Sequence, residues 1–369
     1  MDNPFLYTNI VGGDAFCDRE KEQRDLLRYV KASQNVLLYS HRRFGKTSLI
    51  FQVLKGLDRE KSNIGKIYID LYGTLTEKDF ISCIVKGFVQ IESGVDRLLG
   101  LARDVFRRAR FTFSVDPMTN MPSLAPVFDS GDTTLLLEDV MKVLADYSEK
   151  RKLVVVFDEF QEISNYADNA FEKRLRKIIQ QHKAICYIFS GSQRHILAQM
   201  FNTNSRAFYK LAESYPLGKI DTKYYVSWAK RLFGRKGVDI DAGLIEEVVQ
   251  RCENHPMYVQ QFLFHLWDEQ VMNREIINKV EDRILERHEN EFLNQWDSLT
   301  LNQKKTLRLI VLNDGKDMFY ADSLQKVGLK SGSQVSKALE TLMKKDLISK
   351  NVKYHLQDVM LRKWIERLI

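Results

Sequence analysis

The stretch Val36-Leu37-Leu38-Tyr39-Ser40-His41-Arg42-Arg43-Phe44-Gly45-Lys46-Thr47-Ser48-Leu49 decides the fold. An apolar strand runs into a Gly-Lys-Thr turn, and the turn opens a helix. This is the pattern of a phosphate-binding loop. Backbone N–H groups and a helix N-terminus point at one anion, the lysine supplies a mobile cation for the β- and γ-phosphates, and the threonine hydroxyl faces Mg²⁺. The match to G-x-x-x-x-G-K-[ST] departs at one place: Ser40 stands where the first glycine belongs, a modest loss of backbone permissiveness. Ser40, His41, Arg42, Arg43, Phe44, Gly45, Lys46, Thr47 and Ser48 are therefore expected around the phosphates.

A second run, Lys152-Leu153-Val154-Val155-Val156-Phe157-Asp158-Glu159-Phe160, reads as a buried strand ending in two acids. Consecutive apolar residues mark a strand covered on both faces, as in a parallel sheet, and the C-terminal ends of such strands are where ligands bind. Asp158 is expected to hold the hydration shell of Mg²⁺ together with Thr47. Glu159 is expected to accept a proton from the attacking water. Taken alone, an acid pair here would also suit a helix N-terminus; the phosphate loop upstream favours the chemical reading.

The chain has 369 residues, 44% hydrophobic and 28% charged, an ordinary globular composition with room for two or three domains. Cys17, Cys83, Cys186 and Cys252 are far apart, with neither C-x-x-C nor His-partnered metal spacing, and read as reduced, mostly buried thiols. No basic leader followed by an apolar core opens the chain, and no apolar run is long enough to span a bilayer. A cytoplasmic location without membrane partners is expected. The net charge of +7 suits either an acidic partner such as nucleic acid or a solvated surface.

Along the chain, Phe16-Cys17-Asp18-Arg19-Glu20 with Glu22, Leu26, Leu27 and Val30 at helical spacing reads as a capped helix before the first strand. Strand signals recur at 66–71, 153–157 and 184–189, alternating with helical patterns at 135–147 and 171–181, which implies an α/β sheet of mostly parallel strands. Between 91 and 132 the rhythm breaks into an insertion, a basic helix with Arg103, Arg107, Arg108 and Arg110 and then a hairpin from Phe111. From about Lys219 to Trp296 only helical patterns appear. Pro256 is suited to opening a helix there, and His255 reads as a junction residue. The last 70 or so residues give three helices, a short hairpin and a closing helix with Trp364 and Leu368 inward. That order describes a winged helix, with Gln334, Ser336, Lys337, Lys344 and Lys345 on the outer face of its third helix, a surface suited either to DNA or to regulatory packing.

With these residues in hand, the chain resembles the archaeal-type ATPases of the AAA+/STAND P-loop group, relatives of the origin-recognition ATPases. Phe16, Asp18, Arg19 and Glu20 match that family's opening, and Arg42, Arg43, Gly45, Lys46 and Thr47 its loop. Asp158, Glu159, Phe160 and Gln161 match its acidic motif, Ser190-Gly191-Ser192 its sensor strand end, and Asn254, Pro256 and Tyr258 its lid motif, with His255 inserted. Asp358, Leu361 and Trp364 match its terminal motif. The resemblance implies a P-loop NTPase core over 1–217, a helical lid over 218–298 and a winged-helix domain over 299–369. It implies ATP and Mg²⁺ as ligands, with Asp18, Arg19 and Pro256 near the nucleotide. Ser190 or Ser192 would sense the γ-phosphate, and Arg194 or Arg206 would act on it. In the strand order, the 185–189 strand is expected between the 36–39 and 153–157 strands.

Three functions are consistent with this reading. The first is a slowly hydrolysing ATPase that works as a nucleotide-dependent switch. The second is a DNA-binding regulator or defence component in which ATP is mainly a structural ligand, and the third is a protein-binding adaptor with a degraded site. Self-association or a protein partner fits any of them.

Overall fold

Three buried apolar runs, flanked by one edge strand of alternating burial and one polar edge strand, assemble into a five-stranded parallel sheet. The computed structural model describes residues 2–88, 110–115, 122–127, 133–168, 170–269, 271–350 and 352–369. In chain order the strands of the first part are β1 (Val36–Tyr39), β2 (Gly65–Asp70), β3 (Arg110–Val115), β4 (Pro122–Val127), β5 (Leu153–Asp158), β6 (Ile185–Gly191) and β7 (Glu213–Pro216). The sheet order is β2-β5-β6-β1-β7, while β3 and β4 form a separate antiparallel hairpin. As expected, β6 lies between β1 and β5, pairing in parallel with both. Every residue of β5 and β6 is buried, which accounts for their unbroken apolar sequence.

Helices α1 (Glu20–Lys31), α2 (Lys46–Arg59), α3 (Glu77–Gly87), α4 (Thr133–Lys150), α5 (Phe171–Ile179) and α6 (Arg194–Asn202) alternate with these strands and cover the sheet. One face is sealed by an aromatic cluster in which Phe157, Phe160, Phe189, Phe201 and Phe208 are packed in series. The Asn35 side chain fastens the start of the sheet. Its carbonyl oxygen accepts from Tyr187 N at 3.0 Å and its amide donates to Leu211 O at 3.3 Å.

Two expectations change here. The first helix has no side-chain cap: Arg19 occupies the N-cap in a left-handed conformation, φ 68°, and its guanidinium is used elsewhere. Arg110 opens strand β3 and is not on a helix, while Arg103, Arg107 and Arg108 lie outside the described residues.

The chain divides into two compact units, Arg19–Gly218 and a second formed by Met1–Asp18 with Lys219–Ile369. The second contains α7 (Thr222–Arg235), α8 (Ala242–Arg251), α9 (Pro256–Leu266), α10 (Arg274–Asp297), α11 (Leu301–Leu312), α12 (Ala321–Lys326), α13 (Gly332–Lys344), a hairpin of β8 (Ile348–Lys350) and β9 (Tyr354–Leu356), and α14 (Val359–Glu366). The N-terminal segment, expected with the ATPase core, packs here: Phe5 is fully buried, its ring 5.1 Å from Trp228 and 5.8 Å from Trp267. Gln260 Nε2 also donates to Ala15 O at 2.6 Å.

Helices α11 to α14 with the β8-β9 hairpin are the winged helix read from the sequence, and they share one core with α7 to α10. Tyr258 Oη donates to Asp358 at 2.6 Å, Arg362 pairs with Glu253 at 2.8 Å, and the Trp364 ring lies 6.1 Å from Phe292. Trp364 is buried as expected. Leu368, expected inward, is 42% exposed because α14 ends at Glu366 and the last residues turn out of the core.

The wing is seated on a glycine. Tyr354 N donates to Gly315 O at 3.1 Å, Gly315 has φ 72°, and a Cβ there would sit 1.6 Å from the Tyr354 carbonyl oxygen. Gly237 offers a control, since its φ is 81° but a Cβ there meets nothing within 4 Å. Gly237→Ala should carry only the left-handed strain of roughly 1–2 kcal/mol, whereas Gly315→Ala should lower the thermal unfolding midpoint clearly further. Equal shifts would show that the wing does not press on Gly315.

Candidate functional site

Helix α2 begins at the phosphate loop, and its start is built to face an anion. Gly45, at the N-cap, is left-handed with φ 84°, and Arg43 two residues earlier has φ 60°, so the loop curls back before the helix opens. The N-cap residue is a glycine and offers no capping side chain to α2, an arrangement found at helix N-termini that bind phosphate. Ser40 is not among the residues with positive φ, so the missing glycine costs nothing in backbone strain. The Ser40 hydroxyl donates to His41 O at 2.8 Å. Arg42 and Arg43 are exposed, whereas Phe44, Lys46 and Ser48 are buried.

Lys46 is only 7% exposed. Burial pushes its ammonium below the usual lysine range, and the carboxylates of Glu159 and Asp158 pull it back up. A desolvated cation between a helix N-terminus and two acids is poised to gain from an incoming polyphosphate.

Asp158 is the junction of the site. Its Oδ2 accepts from Thr47 Oγ1 at 3.0 Å and from Tyr68 Oη at 2.7 Å, and its Oδ1 accepts from Glu159 N at 3.0 Å. The phosphate loop, β2 and β5 thus meet on one buried carboxylate. The Tyr68 phenol was not read from the sequence as a site residue. Burial and the negative charge of Asp158 hold it well above the usual tyrosine range, so it remains a donor. The only signal for it was its place in the strand read at 66–71, which the structure forms as β2 with Tyr68 two residues before its end.

Glu159 follows in a left-handed conformation, φ 50°, which is uncommon outside glycine and is typical of functional sites. Its Oε2 accepts from Ser192 Oγ at 3.0 Å, from Ser192 N at 3.3 Å and from Gln161 Nε2. Of the two serines at the end of β6, Ser192 is thus engaged with Glu159. Ser190 is fully buried, with no hydrogen-bond partner for its hydroxyl.

The two candidate arginines differ in their surroundings. Arg194, at the start of α6, reaches the phosphate loop: its Nη1 is 2.5 Å from His41 Nε2, and its guanidinium lies 5.9 Å from the Tyr39 ring centre. Arg206 is exposed and pairs with Glu172 at 2.7 Å. Arg19 is buried, bonding Glu22 at 2.8 Å and the Gly218 carbonyl at 2.7 Å. Asp18 is half-buried with φ 56°, and Pro256 is the first residue of α9 in the second unit.

Thr47 and Asp158 offer hard oxygen donors 3.0 Å apart at the loop, a donor set that fits Mg²⁺. Among the described residues no cluster of His, Cys, Asp and Glu forms a separate metal site, and no helix is long and apolar enough to cross a membrane.

A parallel sheet with this loop at the end of β1 and this acid pair at the end of β5 defines a P-loop nucleotide-binding protein. The model of the ATPase domain predominantly from Archaea matches residues 16–262, and a probable winged helix domain matches residues 290–367. The chain belongs to that archaeal-type ATPase family. Its fold is similar to the Walker-type ATPase PABY2304 of Pyrococcus abyssi, with TM-score 0.69 and 18% identity over 98% of this chain and 99% of the other. It is also similar to the ORC2 protein of Aeropyrum pernix in its ADPNP–ADP complexes, with TM-score 0.60 and 14% identity over 99% and 97%. No curated protein matches the chain.

Proposed function

We propose that this chain binds and slowly hydrolyses ATP with Mg²⁺, and that nucleotide state is relayed to the lid and winged-helix unit. The observation that carries this reading is the shared placement of Lys46, Thr47, Asp158 and Glu159: two residues of the loop and the acid pair, joined by the 3.0 Å bond from Thr47 to Asp158. The solved ORC2 relative was captured with ADPNP and ADP, which supports an adenine nucleotide as the ligand class.

In this reading the N-terminus of α2 and the Lys46 ammonium bind the β- and γ-phosphates. Thr47 and Asp158 would hold Mg²⁺, which would supply charge neutralisation for the phosphates. Glu159 orients the attacking water and accepts its proton. Arg194, beside the loop through His41, is the better placed of the two arginines to meet the γ-phosphate, and Arg206 is committed to Glu172. Ser192 links the end of β6 to Glu159, so it is the serine through which the sensor strand would register that phosphate.

The relay is supported by connectivity. The chain passes between the two units twice, after Asp18 and after Gly218, and the Arg19 side chain bonds the Gly218 carbonyl. Both residues belong to the ATPase unit, so this bond ties together the two points at which the chain leaves it.

Glu159→Gln should bind ATP with near-normal affinity and lose turnover by at least about 100-fold. Lys46→Ala should instead weaken nucleotide binding itself by roughly 10- to 100-fold, the worth of a charge-assisted contact. Calorimetry and a phosphate-release assay, with and without EDTA, separate the two. Full turnover in Glu159→Gln would assign the base elsewhere.

A second reading, nucleic-acid binding, is favoured by one observation. Ser333, Ser336 and Lys337 are exposed on α13 and Lys345 is exposed at its C-cap, while Lys344 is partly neutralised by Glu340 at 2.8 Å. Fluorescence anisotropy with duplex DNA should show affinity falling steeply with salt, and Lys337→Glu with Lys345→Glu should flatten that slope. Binding unaffected by these changes would remove α13 as the surface.

A further inference from the structure

Gln161 lies two residues after Glu159 and is 1% exposed. Its Nε2 donates to Glu159 Oε2, the oxygen that also receives both Ser192 donors. A carboxylate only accepts, so the amide nitrogen must face Glu159 and the amide oxygen must face away. That oxygen, Oε1, is buried with no hydrogen-bond partner. A buried acceptor left unsatisfied is unfavourable and calls for an explanation in the function of the site.

The room for this side chain comes from Gly191. A Cβ at Gly191 would lie 2.0 Å from Gln161 Oε1 and 3.2 Å from its Cδ. Gly191 is not among the glycines with positive φ; its strand backbone suits any residue, and only the space demands glycine. The end of β6 therefore carries a notch for the Gln161 amide, and the next residue, Ser192, completes the grip on the same carboxylate oxygen.

Three features that local stability does not favour converge on one carboxylate: a left-handed Glu159, an amide with an orphaned oxygen, and a glycine in the last position of a buried strand. Strain of this kind persists where the surroundings over-determine a functional geometry. Glu159 held in this way also remains close enough to Lys46 to be the leading carboxylate acting on its charge, so the grip keeps the acid facing the phosphate loop.

We infer that Gln161, seated in the Gly191 notch and acting with Ser192, is a positioning residue that holds the Glu159 carboxylate in its water-activating orientation. The inference rests on the assignment of Glu159 as the base. One oxygen of Glu159 is fixed by the Gln161 and Ser192 donors, which leaves the other to meet the water. The clamp belongs to the end of the sensor strand, so a shift of Ser190–Ser192 would move the base with it.

The test measures ATP turnover and the affinity for a non-hydrolysable ATP analogue in the full chain. Gln161→Ala should lower kcat about 10- to 100-fold, as expected for a misplaced catalytic group, with analogue affinity within twofold of wild type. Gly191→Ala should do the same, and combining it with Gln161→Ala should add little to the loss of kcat, because the close contact at 2.0 Å is then gone and only Leu197 Cδ1, 3.0 Å from the added Cβ, has to give way. In a Glu159→Gln background, Gln161→Ala should leave the residual rate unchanged, since the clamp acts only through the carboxylate.

Normal kcat in Gln161→Ala, an equal loss of analogue affinity, or a further loss in the Glu159→Gln background would overturn the inference. Should Gly191→Ala fail to fold, the two Gln161→Ala experiments still decide. A Glu159→Gln variant with full turnover, or a wild-type protein with none, would reject the base assignment and the clamp together. A dead Glu159→Gln beside an unimpaired Gln161→Ala rejects the clamp alone.

Discussion

The buried carboxylate of Asp158 is the constraint on which the ATPase unit depends. It accepts hydrogen bonds from Thr47, Tyr68 and the backbone of Glu159, so it joins the start of α2, the strand β2 and the turn after β5. Asp158 is 4% exposed, and a charge so buried is tolerable only when donors surround it. Each bond to a charged acceptor contributes about 1.5–3 kcal/mol. The same donors fix where the carboxylate points. The residue that satisfies the fold is thereby pre-set to face the loop where a metal-bound phosphate would sit.

From that junction the rest of the site follows by chain geometry. Glu159 is the next residue, and its left-handed backbone turns its side chain to Ser192 after the end of β6 and to Gln161 in the turn that follows β5. β6 can do this because it lies between β5 and β1, so its C-terminal end lies beside the acid pair at the end of β5. Arg194 then opens α6 two residues further on and reaches His41. In the second unit, by contrast, the dominant force is apolar burial. The lid helices, the N-terminal Phe5 and the winged helix share one core, and Tyr258 with Asp358 adds one polar tie across it.

What the sequence made legible tracks burial. β1, β5 and β6 read as strands because both faces are covered and their residues are apolar without interruption. β7, with Glu213-Ser214-Tyr215-Pro216, was not read: it is an edge strand with one neighbour and mostly exposed side chains, and a proline is tolerated there. The winged helix was legible from the apolar face of α13, Val335, Ala338, Leu339 and Leu342. The outward turn of Leu368 was not, since a single apolar residue after a helix end carries no periodicity. In the site, Lys46, Thr47, Asp158 and Glu159 were visible from motif spacing. Tyr68 and the role of Gln161 were not, because each acts through a contact between distant segments or through a notch that depends on the side chain absent from Gly191. Likewise, spacing could not choose between Arg194 and Arg206; their partners, His41 and Glu172, come from other elements.

The central claim is that Asp158 links the phosphate loop to Mg²⁺-dependent nucleotide binding. Asp158→Asn preserves shape and removes the charge, so calorimetric titration of ATP with and without Mg²⁺ tests it most directly. The wild-type protein should bind ATP more tightly with Mg²⁺ present, and the variant should bind it with an affinity that Mg²⁺ no longer changes. A variant whose affinity still responds to Mg²⁺ as the wild type does would contradict the account.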